Sequence, residues 1–239
     1  MRAFRKRKMA LFNIAVVFAF ISLVLGGCAL LNPEPVSDGK LEIVFVSEYY
    51  SLDPKSTVAQ DMFAEIDGLR SVKFDFVYAN NSVSRDKVMM FFAGKRGDVM
   101  VVERSLLKTL VDEMAVAPLD EFIDAGIIDM EGLDVSSVKM ICNPSDTYAD
   151  DFDRTRRIYG VPSGKMFGLM KDFLVDNRSA VMIIPSYSAD KELAAEVVQW
   201  MKERYSYDAR PEFAVKFDQI IKELRRNGGE PDRRAIDFE

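Results

Sequence analysis

The 239-residue sequence has no histidine and only two cysteines, Cys28 and Cys142. The first absence removes imidazole as a general base, a triad member or a metal ligand. The second leaves neither a disulfide framework nor a cysteine-rich metal centre. A catalytic site would have to be built from Ser/Lys, paired carboxylates or a carboxylate-bound metal, and no such spacing stands out. No catalytic residue, metal ligand or cofactor is therefore expected, and the chain reads as a non-enzyme. Internal repeats and low-complexity runs are missing too. So is an excess of cations: the formal charge is −6, and without the five cations of residues 2–8 it falls to about −11. Such a surface repels nucleic acid and anionic headgroups.

Those five cations, Arg2, Arg5, Lys6, Arg7 and Lys8, precede an almost wholly apolar run from Met9 to Gly27. Leu25-Gly26-Gly27-Cys28 closes the run and resembles a lipobox, in which the cysteine is acylated and becomes the mature N-terminus. The alternative is an uncleaved transmembrane helix, since about 19 apolar residues suffice to span a bilayer. Either way the basic flank stays cytoplasmic and the rest lies outside. Residues 1–27 are thus read as a signal peptide, Cys28 as the lipidation site, and 28–40, with its two prolines and Ser-Asp-Gly turn, as a tether.

From residue 41 the pattern alternates strand and helix. Leu41–Val46 is an apolar strand. Asp53-Pro54 opens a helix striped by Val58, Met62, Phe63 and Ile66, which ends at Gly68. Ser71–Ala79 alternates Val72, Phe74, Phe76 and Tyr78 against Lys73 and Asp75, as a strand with one buried face. A short helix over 84–92 leads through Gly94 and Gly97 to the strand Val99–Val102. After a polar loop, Ser105 is placed to cap a helix whose Leu106, Leu107, Leu110, Val111 and Met114 form one face. Pro118 stops it, and Pro118–Ile123 forms a second short turn. β-α-β-α-β-α order predicts a Rossmann-like α/β fold with a mostly parallel sheet and helices on both faces. Ligands of such sheets sit beyond the strands' carboxyl ends. That rule nominates Tyr49 and Tyr50 after the first strand and Glu103 and Arg104 after the third. Asp98, Glu103 and Asp120 are the acids nearest the strand ends.

Residues 127–157 are ambiguous: Gly132–Asn143 fits a short helix, while Met140-Ile141 fits a strand. The acidic 146–153 and basic 154–157 stretches read as an exposed hairpin or loop. Ala180–Ile184 is a further strand. Ser188–Glu192 opens a helix that turns Leu193, Val197, Val198, Trp200 and Met201 inward, and Pro211–Arg226 is a last amphipathic helix before a loose tail. The domain proper is placed at 41–205, with a C-terminal helix and tail at 206–239.

Three segments together resemble bacterial extracellular solute-binding proteins, the lipoprotein receptors of ABC importers. They are Gly97-Asp98 with the strand behind it and Pro118-Leu119-Asp120-Glu121-Phe122-Ile123; Tyr159-Gly160-Val161-Pro162; and Asp190-Lys191-Glu192 leading to Trp200. The resemblance implies a periplasmic-binding-protein-like single lobe that binds a small solute, sugar or peptide-like. It implies a permease or other envelope protein as partner, membrane attachment through lipid, and a site that includes Tyr159 and Ser163. A full receptor carries most of a second lobe between the last two segments, where this chain has few residues. The alternative is a non-transport interaction module at the cell envelope built on one such lobe.

Overall fold

The computed structural model describes residues 38–48, 56–78, 84–143 and 155–227, all within the compact unit Ser37–Glu239. The signal, lipidation and most of the tether assignments, and Tyr49 and Tyr50, lie outside the described residues, as does the Asp53-Pro54 helix start. Strands β1 (Lys40–Ser47), β2 (Ser71–Tyr78) and β3 (Val99–Glu103) pair in parallel in the order β2-β1-β3. Helices α1 (Val58–Glu65) and α2 (Ser84–Ala93) provide the crossovers.

Helix α3 (Arg104–Asp112) follows β3 with no loop between them. The expected cap at Ser105 is therefore displaced. Glu103 is the N-cap, still extended at ψ 131°, and the Arg104 N–H is taken by the Ser179 carbonyl at 2.8 Å. Pro118 does not end this helix either. Met114 enters the left-handed region at φ +54°. Its N–H and that of Ala115 then bond back to Val111 and Leu110 at 2.9 Å each, a Schellman closure. This turns Met114 out to 54% exposure, whereas the helical stripe had it facing inward.

After α4 (Asp120–Asp124) residues 127–143 of the ambiguous stretch form turns and a two-residue strand, β4 (Lys139–Met140), antiparallel to β5 (Arg157–Ile158), while the hairpin expected over 146–153 and the tail beyond 227 lie outside the described residues. Then come β6 (Val161–Pro162), α5 (Gly168–Phe173) and β7 (Ala180–Ile183). Strand β7 inserts between β3 and β6, antiparallel to both, completing the order β2-β1-β3-β7-β6. Four strands share one direction and β7 opposes them. The cause is local. The β6–α5–β7 connection leaves and re-enters at the same sheet edge, where the Ser163 N–H meets the Ala180 carbonyl at 3.2 Å, so β7 has to run back.

The two-residue period of the strands feeds two cores, one on each face. Ile43, Phe45, Val101 and Met182 face α1, α5 and α6 (Lys191–Tyr205). Val44, Met100, Val102, Val181 and Ile183 face α2 and α3. Helices thus cover both faces, as the alternation predicts. On the edge strand β2 the pattern shifts: Val77 is buried, while Tyr78 at the strand end is 46% exposed beneath the Lys87 ammonium. Phe63, one position off the Val58–Met62–Ile66 row, is also exposed. Helix α6 opens within the expected Ser188–Glu192 stretch and is capped by Asp190, whose carboxylate accepts from Leu193 N–H at 2.9 Å. Helix α7 (Glu212–Asn227) packs Ala214, Phe217 and Ile221 against Met170 of α5.

At the amino edge of β1 and β3, Glu42 ties three segments together. It accepts from Lys73 Nζ at 2.7 Å, Arg96 Nη2 at 2.7 Å and the Gly97 N–H at 2.9 Å. Gly97 has no alternative there: its φ is +83°, and a Cβ would lie 2.8 Å from Val44 Cγ2. Burial pushes the Glu42 carboxyl up, but the bonds from Arg96, Lys73 and Gly97 outweigh it and hold the pKa at about 2. A carboxylate depressed in the fold contributes stability above its unfolded pKa and loses it on protonation. Stability should therefore fall as pH drops from about 4.5 towards 2, by roughly 1–3 kcal/mol from this group after solvent screening. Urea titrations of the wild type and Glu42→Gln across that window should show the variant less stable at pH 7 and the difference shrinking towards pH 2.

Candidate functional site

The nominated residues fall at opposite edges of the sheet. Glu103, Arg104 and Ser163 lie at the carboxyl edge of β3, where β7 begins. Glu103 is exposed. Arg104 is exposed as well and reaches Ser137 Oγ at 3.3 Å. Ser163 is fully buried. Its hydroxyl donates to the Asn177 carbonyl at 3.1 Å, and Asn177 Nδ2 donates back to the Ser163 and Met166 carbonyls at 2.5 and 2.9 Å. Ser163 and Asn177 thus clamp the β6–β7 connection and present no group to solvent. Tyr159, at the amino end of β6, is on the far side.

There the structure has an open pocket of about 450 Å³. Val111 from the last turn of α3, Val116, Ala117 and Phe122 of α4 give it apolar lining. Met114, Pro118, Glu121, Cys142, Arg157, Tyr159, Ser186 and Lys191 complete that lining. Each segment is fixed by main-chain bonds. Val116 bridges to Pro185 beyond the end of β7, and Ala117 N–H donates to the Ile184 carbonyl at 2.9 Å. Ser186 donates from its N–H to the Ala115 carbonyl at 2.8 Å and from its hydroxyl to the Met114 carbonyl at 2.9 Å. Leu119 N–H meets the Ile158 carbonyl at 2.7 Å, and Ile158 N–H meets Asp120 Oδ2 at 3.0 Å. Gly160 lets β6 lie against β7, because a Cβ there would come within 2.4 Å of Val181 Cγ2.

Two of the three acids near the strand ends, Asp98 and Asp120, are occupied in holding the fold. Asp120 binds Ile158, while Asp98 accepts from the Glu42 N–H at 2.9 Å and the Ser188 hydroxyl at 3.0 Å. Cys142 donates its thiol to the Val111 carbonyl at 3.0 Å. Burial, and then the Asp112 carboxylate, push that thiol up, the reverse of what a nucleophilic cysteine needs. Lys191 opens α6 and spends one ammonium donor on the Ser188 carbonyl at 2.9 Å. Among the described residues no group of three Cys, Asp or Glu side chains is placed to hold a metal, and no helix is long and apolar enough to cross a membrane.

Of the nominated residues described, only Tyr159 lines the pocket. The carboxyl-end rule pointed to the other edge and missed Arg157, Phe122 and Lys191. A usable signal was nevertheless in the sequence: each of the three segments that resemble solute-binding proteins contributes to this pocket's lining.

No protein-family model and no curated protein matches the chain. Among solved structures it is similar to the ABC substrate-binding protein Lmo0181 from Listeria monocytogenes in complex with cycloalternan, at 14% identity and TM-score 0.30. That match covers 51% of this chain and 28% of the other, so the chain spans little more than a quarter of that protein's length. It is also similar to a protein described as a spermidine/putrescine ABC transporter from the same organism, at 11% identity and TM-score 0.41, covering 79% of this chain and 92% of the other. At these values the likenesses assign no function, which has to be read from the chain's own residues.

Met114 gives a direct check on how the pocket rim is built. A left-handed residue without glycine carries a backbone penalty, and at 54% exposure little packing is lost on removing the side chain. Met114→Gly should stabilise the fold by about 0.5–1 kcal/mol in chemical denaturation; a loss of that size would mean the thioether is needed at the rim.

Proposed function

We propose that the chain is a membrane-anchored, extracytoplasmic, solute-binding-protein-like lipoprotein. Its single α/β lobe binds a small solute, sugar or peptide-like, for or alongside an ABC importer. The observation that carries this reading is convergence. The Gly97–Gly126 segment supplies most of the pocket's lining, the Tyr159-Gly160 segment its tyrosine, and the Asp190-Lys191 segment its lysine. Segments separated by tens of residues meet at one concave, largely apolar surface with a few polar groups, the usual make-up of a small-molecule site. The anchor follows from the sequence: signal peptide 1–27, acylation at Cys28, tether 28–40, lobe 41–205 and C-terminal helix and tail 206–239. No chemical step is assigned to the site; it holds a ligand without transforming it.

The test is thermal unfolding of the full-length chain in nanodiscs against sugars, oligosaccharides, amino acids, short peptides and small organic acids. A ligand bound only by the native state at a hundredfold excess over its Kd adds about 2.7 kcal/mol, a shift of several degrees. A saturable rise, diminished in Tyr159→Phe or Lys191→Gln, is expected. A flat response across the whole library, with a cooperative transition, would favour the envelope interaction module instead. Cys28→Ser should separately abolish lipid labelling and release the chain from the membrane fraction. Retention there would identify residues 9–27 as a transmembrane anchor.

A further inference from the structure

The groups that line the pocket narrow its ligand beyond a generic solute, because most of its polar side chains are already spent within the fold. The Cys142 thiol donates to the Val111 carbonyl at 3.0 Å, and the Ser186 hydroxyl to the Met114 carbonyl at 2.9 Å. Lys191 gives one of its three donors to the Ser188 carbonyl at 2.9 Å. Arg157 and Tyr159 each have a partner of their own. Glu121 is exposed, so its carboxylate stays hydrated. The nearby main chain is engaged as well: Ala117 N–H meets the Ile184 carbonyl, and the Ala115 carbonyl accepts from Ser186 N–H.

Hydrocarbon is what remains. Val111, Val116 and Ala117 are buried, Phe122 is half-buried, and Met114 is exposed. The Met114 main chain is pinned in the left-handed region with its carbonyl held by Ser186, while its thioether has little to pack on. An apolar body entering the pocket covers that adaptable side chain and takes hydrocarbon out of water on both partners. A sugar brings hydroxyls that find few groups to replace water. A lone carboxylate or ammonium loses hydration and meets side chains of both signs, Lys191 and Glu121, in the same lining.

We propose that this pocket takes an uncharged, mainly hydrocarbon solute with a carbonyl oxygen for the donors that Lys191 has left. The assignment rests on the solute-binding reading and selects within it: an uncharged peptide with apolar side chains, cyclic or capped, satisfies it, and a sugar does not. No bond is made or broken.

The test is calorimetric titration of the full-length chain in nanodiscs, with the heat of partition into empty nanodiscs subtracted. Three probes of similar shape differ in charge: 4-phenyl-2-butanone, 3-phenylpropionate and 3-phenylpropylammonium, with maltose as the sugar. Saturable binding of the ketone is expected, with both ions at least tenfold weaker and maltose silent. Met114→Gln, at an exposed position, should weaken the ketone at least threefold and leave the unfolding midpoint of the unliganded chain unchanged. Lys191→Met, which keeps the stem and removes the donors, should weaken it to a similar degree. Binding of either ion as tight as the ketone, binding of maltose in its place, or indifference to both substitutions would overturn the assignment and leave solute binding intact. A silent ketone, with another library ligand still raising the unfolding midpoint, would overturn it in the same way. Silence of all four probes together with a flat library screen would remove the solute-binding reading as well.

Discussion

The backbone ladder on both sides of β7 is the constraint on which the rest of the molecule depends. Four residues, Ala180–Ile183, pair with β3 on one side, and Val181 and Met182 among them pair with β6 on the other. Their side chains are buried on both faces, Met182 in one core and Val181 and Ile183 in the other. A strand so placed cannot slip by one residue without exchanging the two cores. Because β7 runs against its neighbours, it delivers Pro185 and Ser186 to the amino edge, where Val116 and Met114 wait to pair with them. The pocket exists at that edge because β7 is antiparallel; a parallel β7 would have carried α6 and Lys191 to the other end.

Much of the architecture was legible from periodicity. The two-residue alternation of β1, β2 and β3 and the apolar stripes of α3, α6 and α7 state which faces are buried, and the start of α6 falls within the Ser188–Glu192 stretch that the sequence marks. Three features were not. Met114 in the left-handed region carries no glycine to announce it, so the stripe read straight through the end of α3. The direction of β7 depends on where the Ser163–Asn177 clamp closes the preceding connection, a contact made by a serine and an asparagine with no pattern of their own. The pairing of β4 with β5 joins residues 17 or more apart, and two-residue strands leave no periodic trace.

The pocket was legible in its segments, and it lies at the opposite edge from Glu103, Arg104 and Ser163. The rule that ligands gather beyond the carboxyl ends of parallel strands assumes that the connections there are loops open to solvent. Here β3 passes into α3 without a loop, and the Ser179 carbonyl and the Ser163–Asn177 pair fill the adjoining positions. An open pocket lies at the other end, where α3, α4, β7 and α6 terminate or begin around Tyr159. The resemblance to solute-binding proteins was carried by residues that sit there, although the rule of thumb for such sheets pointed away from it.

The bond between Ser188 and Asp98 spans 90 positions of the chain, that between Tyr187 and Arg96 spans 91, and Trp200 reaches back 135 to Glu65. Loop closures of that span make a fold slow to form, because chain entropy is lost before the contacts repay it. A polypeptide threaded through a narrow channel from its N-terminus would have passed nearly 200 residues before the two sides of this sheet could join. The same topology that builds the pocket therefore lets the sheet close only once most of the chain is available.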